Sequence, residues 1–198
     1  MQDKRIPDLR GPMAALAVVA LCLTLITGCG AGKAVDEPLV DLSSDVIEPG
    51  AVHTGDAPVT DRTFQIVAVA QNLYTFWNSG DTTFLDRAVD GTFVDNTLPS
   101  GRPQGIDGPK AASEAFRTAI PDLTCELVDL YLTGDTFTAR LIFRGHFTGN
   151  YDGTPGHGQP IEFGALDIQH VGDDRIVEDW HLEDNLAFLQ QADLISNQ

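Results

Sequence analysis

The chain has 198 residues, enough for one ordinary domain with extensions and too few for two full ones. Its 29 acidic residues outnumber 12 basic ones, a formal net charge of −17, yet 42% of the residues are hydrophobic, so a folded core is expected rather than a disordered acidic chain. The acidic excess argues against nucleic acid as a partner, which needs a basic patch, and 3 cysteines cannot make a disulfide framework or a four-ligand zinc site.

Lys4, Arg5 and Arg10 precede an apolar run from Ala14 to Ile26. As a helix this run rises about 20 Å against about 30 Å of hydrocarbon, the length of a signal-peptide core rather than of a membrane span. It ends in Ile26-Thr27-Gly28-Cys29, which resembles the bacterial lipobox, whose cysteine is lipidated and becomes the new N-terminus. Residues 1–28 are therefore expected to be a lipoprotein signal peptide. Cys29 would carry the lipid, holding the protein by its anchor on the extracytoplasmic face of the cell membrane. Residues 29–62, rich in Gly, Pro, Ala and Asp without a sustained period, read as a flexible tether, with a residual strand left open. Cys125 then stands alone as a small buried hydrophobe.

The folded domain is expected over residues 63–198. Ile66, Val67, Ala70, Leu73, Tyr74 and Trp77 recur at helical spacing, with Asn78-Ser79-Gly80 as the stop. Asp81 caps a short second helix carrying Phe84, Leu85, Ala88 and Val89. Thr92–Asp95 is a brief strand. Asp107-Gly108-Pro109 opens a third helix, which Pro121 closes, with Ala112, Ala115, Phe116 and Ala119 as its buried face. Beyond Pro121 the period falls to two, and Leu123–Leu132, Thr136–Thr148, Ile161–Val171 and Arg175–Leu182 read as strands. Thr133-Gly134-Asp135 and Gly172-Asp173-Asp174 are the hairpin turns, and Asn185–Ala192 is a final short helix. Helices followed by antiparallel strands give α+β, with the helices on one face of a strongly curved sheet.

Several stretches together resemble the SnoaL-like polyketide (ester) cyclases of the NTF2-like superfamily. Tyr74-Thr75-Phe76-Trp77-Asn78-Ser79-Gly80-Asp81 resembles their opening helix, and Phe116-Arg117-Thr118-Ala119-Ile120-Pro121-Asp122-Leu123 their third helix and its exit. Gly134-Asp135, Arg144-Gly145 with Thr148-Gly149, and Arg175-Ile176-Val177-Glu178 through Trp180 to Asp184-Asn185 match the strands and C-terminus. The resemblance implies an NTF2-like, cystatin-like cone: a bent sheet around a deep apolar pocket roofed by helices. It also implies aldol-type ring closure without metal or cofactor, an aspartate serving as acid and base on an apolar carbonyl compound. Such an aspartate needs a dry site that raises its pKa, with donors near the enolate oxygen.

On a regular last strand, Ile176, Trp180, Leu182 and Asp184 share one face and Val177, Asp179, His181 and Glu183 the other. The face with the indole is taken as the pocket wall, so Asp184, in the family's Trp-x-x-x-Asp pattern, is the expected proton shuttle. Its other reading is a cap of the final helix. His170 is the expected hydrogen-bond donor, and Tyr74, Trp77, Phe93, Phe143 and Trp180 the substrate-binding walls. Phe147 stands where many relatives carry a histidine, which puts catalytic competence in question. His181, Asp179 and Glu183 read as a solvated stripe, and His181-x-Glu183 lacks a third-ligand geometry, so no metal is expected. The rival to the cyclase or isomerase reading is a non-catalytic module that binds a hydrophobic small molecule or partner protein. A homodimer through the outward Arg140 and Arg144 row is a third.

Overall fold

The computed structural model describes residues 39–43 and 45–196. The expected signal peptide, the lipidation site Cys29 and the first part of the expected tether lie outside the described residues. No helix among the described residues is long and apolar enough to cross a membrane.

The elements follow the order β1 (Ala51–His53), α1 (Asp61–Ser79), α2 (Thr82–Ala88), β2 (Val89–Asp95), α3 (Asp107–Ala119), β3 (Thr124–Thr133), β4 (Thr136–Phe147), β5 (Asn150–Tyr151), β6 (Thr154–Pro155), β7 (Gln159–Val171), β8 (Ile176–Glu183) and α4 (Asn185–Gln191). Six strands form one sheet in the order β1-β3-β4-β7-β8-β2, and β5 and β6 make a separate small ribbon. β3, β4, β7 and β8 pair antiparallel, whereas β1 on β3 and β2 on β8 are parallel additions at the two edges. The architecture is α+β, with helices packed on a large curved sheet, an NTF2-like arrangement.

The helix signals act locally as their chemistry requires. α1 buries Ile66, Val67, Ala70, Leu73, Tyr74 and Phe76 along one stripe. It ends at Gly80, whose φ of 78° lies in the left-handed region and whose N–H donates to the Phe76 carbonyl at 2.7 Å. A side chain there would also meet the Arg117 guanidinium 2.7 Å from its Cβ. Asp81 accepts from the Thr83 N–H at 2.9 Å and starts α2. From the first turn of α1, Arg62 donates to the Val171, Gly172 and Asp173 carbonyls and to the Asp135 carboxylate, tying both hairpin turns to the helix. Ala115 of α3, expected in the core, is exposed, while Ser113 is buried beside Ala112.

The described part of the expected tether is packed on the domain. Gln71, 1% exposed, accepts from the Asp41 N–H and donates to the Asp41 and Ile47 carbonyls, and Thr75 Oγ1 accepts from the Ile47 N–H. Leu39, Val40 and Ile47 pack against the core, and β1 completes the sheet edge beside β3. The strand left open by the sequence is therefore present. Its partner lies more than 70 residues downstream, which no local pattern in a Gly- and Pro-rich stretch reveals.

Candidate active site

The inner face of the sheet is a lattice of side chains set by register. The apolar row Phe137, Ala139, Leu141 and Phe143 of β4 faces inward, and directly opposite on β7 stand Gln169, Asp167, Ala165 and Phe163. Residues paired across adjacent strands point to the same face. The next strand continues the lattice: Gln169 faces Asp179, Asp167 faces His181, and Ala165 faces Glu183. Three polar columns thus run into a wall that is otherwise apolar, and Asp95 of β2 joins them opposite Asp179.

These residues line a cavity, open at its mouth, beneath α1 and α3. Trp77, Phe93, Phe116, Phe143 and Phe163 form its aromatic wall. Phe143 and Phe163 stack with centroids 5.2 Å apart, and Phe116 stacks on Phe163 at 5.8 Å. The acidic cluster closes one side. Past Arg102, Ala112, Phe116 and Glu183 the cavity continues into an outer groove reaching Pro99, Tyr151 and Asn185.

Within the cluster, His181 is held between two carboxylates, Nδ1 at 2.7 Å from Glu183 Oε1 and Nε2 at 3.2 Å from Asp95 Oδ2. The Glu183 hydrogen bond, then the surrounding negative charge, outweigh burial and raise the imidazole to about 9, so it is a cation at neutral pH. Burial pushes Glu183 upward, but its bond to His181 and the imidazolium charge win and hold it below the usual range. Asp179, 9% exposed, has an Oδ1 that is buried and without a partner. Burial lifts its carboxyl to about 7 against the pull of His181, and the Asp95 charge adds to the rise. Asp167 is more enclosed. Burial first, then the charges of Asp179 and Glu183, hold it well above the usual carboxylate range and so favour its protonated form. Tyr74 donates to Asp167 Oδ2 at 3.2 Å, and burial together with Asp167 pushes its own hydroxyl pKa up. A buried acid whose protonated form is favoured, a carboxylate poised near neutrality and an imidazolium therefore share one pocket.

Asp95, Asp179 and His181 offer ligand atoms within 4.8 Å of one another and are the residue types that could hold a metal. As an imidazolium His181 has no lone pair for a cation; its Nδ1–H donates to Glu183 and its Nε2–H to Asp95 instead.

The sequence-predicted residues divide. Trp77, Phe93 and Phe143 stand on the cavity wall. Tyr74 lies fully buried behind it, reaching the cavity through Asp167. Trp180 is 38% exposed on the outer face with Leu166, Ile168 and Leu182, so it is no part of the wall. Asp184 is exposed and caps α4, accepting from the Ala187 N–H at 2.9 Å; it does not enter the cavity. His170 lies on the outer side of β7, its Nδ1 3.4 Å from Thr136 Oγ1, and does not point inward. Conversely, the expected solvated stripe of Asp179, His181 and Glu183 is the acidic wall. The cause is a bulge: Val171 pairs with Ile176 but His170 pairs with Glu178, so β8 carries one extra residue and its parity inverts after Ile176.

His146, facing outward, pairs with Asp122, and the neighbouring Phe147 is fully buried. His157 is exposed in the loop between β6 and β7. Arg140 and Arg144 are engaged within the chain, by Asp129 and by Glu126 and Glu162.

A model of the SnoaL-like polyketide cyclases matches residues 67–192. Among solved structures, a proposed polyketide cyclase from Bacillus cereus ATCC 10987 is 40% identical, with a TM-score of 0.71 over 79% of this chain and 99% of its own. IdmH, a proposed polyketide cyclase from Streptomyces antibioticus, is 28% identical, with a TM-score of 0.57 over 67% of this chain and 98% of its own. A Catenulispora acidiphila DSM 44928 protein with a ketosteroid isomerase-like fold, 15% identical with a TM-score of 0.50 over 63% of this chain and 92% of its own, shares the fold. None of the curated proteins matches the chain. Fold, element order and matched span together place the chain in the SnoaL-like polyketide cyclase family.

Proposed function

We propose that the protein is a cofactor-independent acid–base catalyst of the cyclase or isomerase type, acting on an apolar carbonyl compound, with Asp179 rather than Asp184 as its proton shuttle. One observation carries the reading: a carboxylate lifted to about 7, with a buried unpartnered oxygen, borders an aromatic cavity beside an acid whose protonated form is favoured. A general base works best when its pKa lies near the operating pH.

Asp179 takes the proton alpha to the carbonyl; the C–H electron pair moves into the enolate and its oxygen becomes negative. Asp167, which lines the same cavity, donates to that oxygen, Tyr74 fixing Oδ2 and leaving the acid's proton for the other oxygen. In ring closure the enolate carbon bonds to a second carbonyl carbon, and the new alkoxide takes the proton back from Asp179. In isomerisation the same proton returns to another carbon. Either way Asp179 ends in its starting state, and His181 balances the charges of Asp95 and Glu183 throughout.

The test is deuterium exchange at the alpha carbon of 2-tetralone, an uncharged aromatic ketone, followed by proton NMR. Asp179→Asn should slow it by about 10²-fold or more. Equal rates in the two proteins would exclude the assignment. Residues 1–28 and Cys29 are proposed to act as signal peptide and lipidation site, placing this chemistry at the extracytoplasmic membrane surface.

A further inference from the structure

Among the described residues Arg102 is the one arginine on the wall of the cavity, and it also borders the outer groove. It is half-buried, yet among the described residues no carboxylate lies within 4.0 Å of it and its guanidinium makes no hydrogen bond. Its field reaches Glu183 and lowers that carboxyl without contact. In a chain with 29 acidic residues against 12 basic ones, a guanidinium left free beside an apolar cavity is unusual, since leaving its donors unpaired forgoes charge-assisted bonds.

The position is built. Gln104 accepts from the Asp95 N–H at 2.7 Å and donates to the Asp95 carbonyl at 2.9 Å, clamping the loop after β2 to the floor of the site. Gly101, with φ 84°, turns the chain just before Arg102, whose N–H donates to the Pro99 carbonyl. The stem of Arg102 lies along the start of α3, its Cγ and Cδ 3.8 Å from where a Cβ on Gly108 would sit. The same clamp that orients Asp95 therefore fixes the arginine.

We propose that Arg102 recognises a carboxylate on the substrate, which is then a flat, conjugated carbonyl compound carrying a negatively charged end. The inference rests on reading this cavity as the substrate site. The stacked rings of Phe116, Phe143 and Phe163 favour a planar body lying against them. A guanidinium fork matches a carboxylate with two parallel hydrogen bonds. Glu183, the carboxylate that Arg102 acts on through space, is already bonded to His181, so the guanidinium donors stay open to an incoming carboxylate. Repulsion from the acidic surface is screened over about 8–10 Å in physiological salt. Asp179 and Glu183 stand four residues apart on β8, roughly 13 Å along the strand. The carboxylate near Arg102 and the carbon that loses its proton to Asp179 are then separated by a distance of the order of 10 Å, at opposite ends of one elongated molecule.

Calorimetric titration of the full-length protein with 2-naphthoate and with 2-naphthamide, matched in shape and differing in charge, tests this. The naphthoate should bind at least tenfold tighter, and the preference should shrink as salt rises. Arg102→Gln should abolish the preference, and Arg102→Lys should keep part of it. Equal affinity for the two probes, failure of the naphthoate to bind, or a preference that survives Arg102→Gln would overturn the proposal. Because no turnover is read, loss of this result and loss of the Asp179 result are separate outcomes.

Discussion

Asp179 shows how environment, rather than residue type, sets a role. Its carboxyl stands near 7 because burial penalises the charge more than His181 favours it, and the same burial makes it a base strong enough to work at neutral pH. Rate against pH should therefore rise through about 7 as Asp179 ionises and fall near 9 as His181 loses its proton, measured as kcat/KM for tetralone exchange. Stability carries the opposite sign for Asp179. A raised carboxyl binds its proton more tightly folded than unfolded, so this contribution is complete below about pH 4 and lost as pH rises through 7. His181 adds stability below its ordinary value that is lost through about 9, so both groups weaken the fold on the alkaline side. Asp179→Asn should abolish exchange and yet, near pH 8, unfold at higher urea, by up to roughly 4 kcal/mol. A variant that is inactive and less stable would point to a structural role for Asp179.

Parity along β8 is decided by one inserted residue. Trp180 and Asp184 lie outside, and Asp179 and His181 inside, because the bulge between the Val171–Ile176 and His170–Glu178 pairs inverts every later position. A reader of residues sees alternation along a strand but not where its neighbour slips. The β4 row was legible from its run of Phe137, Ala139, Leu141 and Phe143. Passing it across to Asp167 and Gln169 required a register set beyond an eleven-residue connection, from Thr148 to Gly158, that carries its own small ribbon. The N-terminal segment makes the same point through Gln71, a polar residue inside a helical apolar stripe whose partners are backbone groups of residues 41 and 47. Gln71→Leu would leave those part-buried groups unpaired, costing at most about 1–3 kcal/mol and making the segment before β1 a site of early cleavage in limited proteolysis. Unchanged proteolysis would mean that the segment is held by its apolar contacts alone.

Across the molecule, an inner face that carries chemistry is set against an outer face that exposes Leu166, Ile168, Trp180 and Leu182, the last 72% exposed. If the N-terminus is processed as proposed, Cys29→Ser should leave the protein without labelled fatty acid and move it from the membrane to the soluble fraction; unchanged membrane retention would refute the anchor. The α+β class, the helix stops at Gly80 and Pro121 and the order of strands were readable from the residues, since caps, prolines and period-two runs act within a few positions of themselves. So was family membership, which depends on the order of such local signals. What required the folded chain was the chemistry. Burial of Asp179, the raised pKa of Asp167 and the imidazolium of His181 arise from neighbours tens of residues away, and a pKa is a property of that surrounding dielectric and charge rather than of a position in a string.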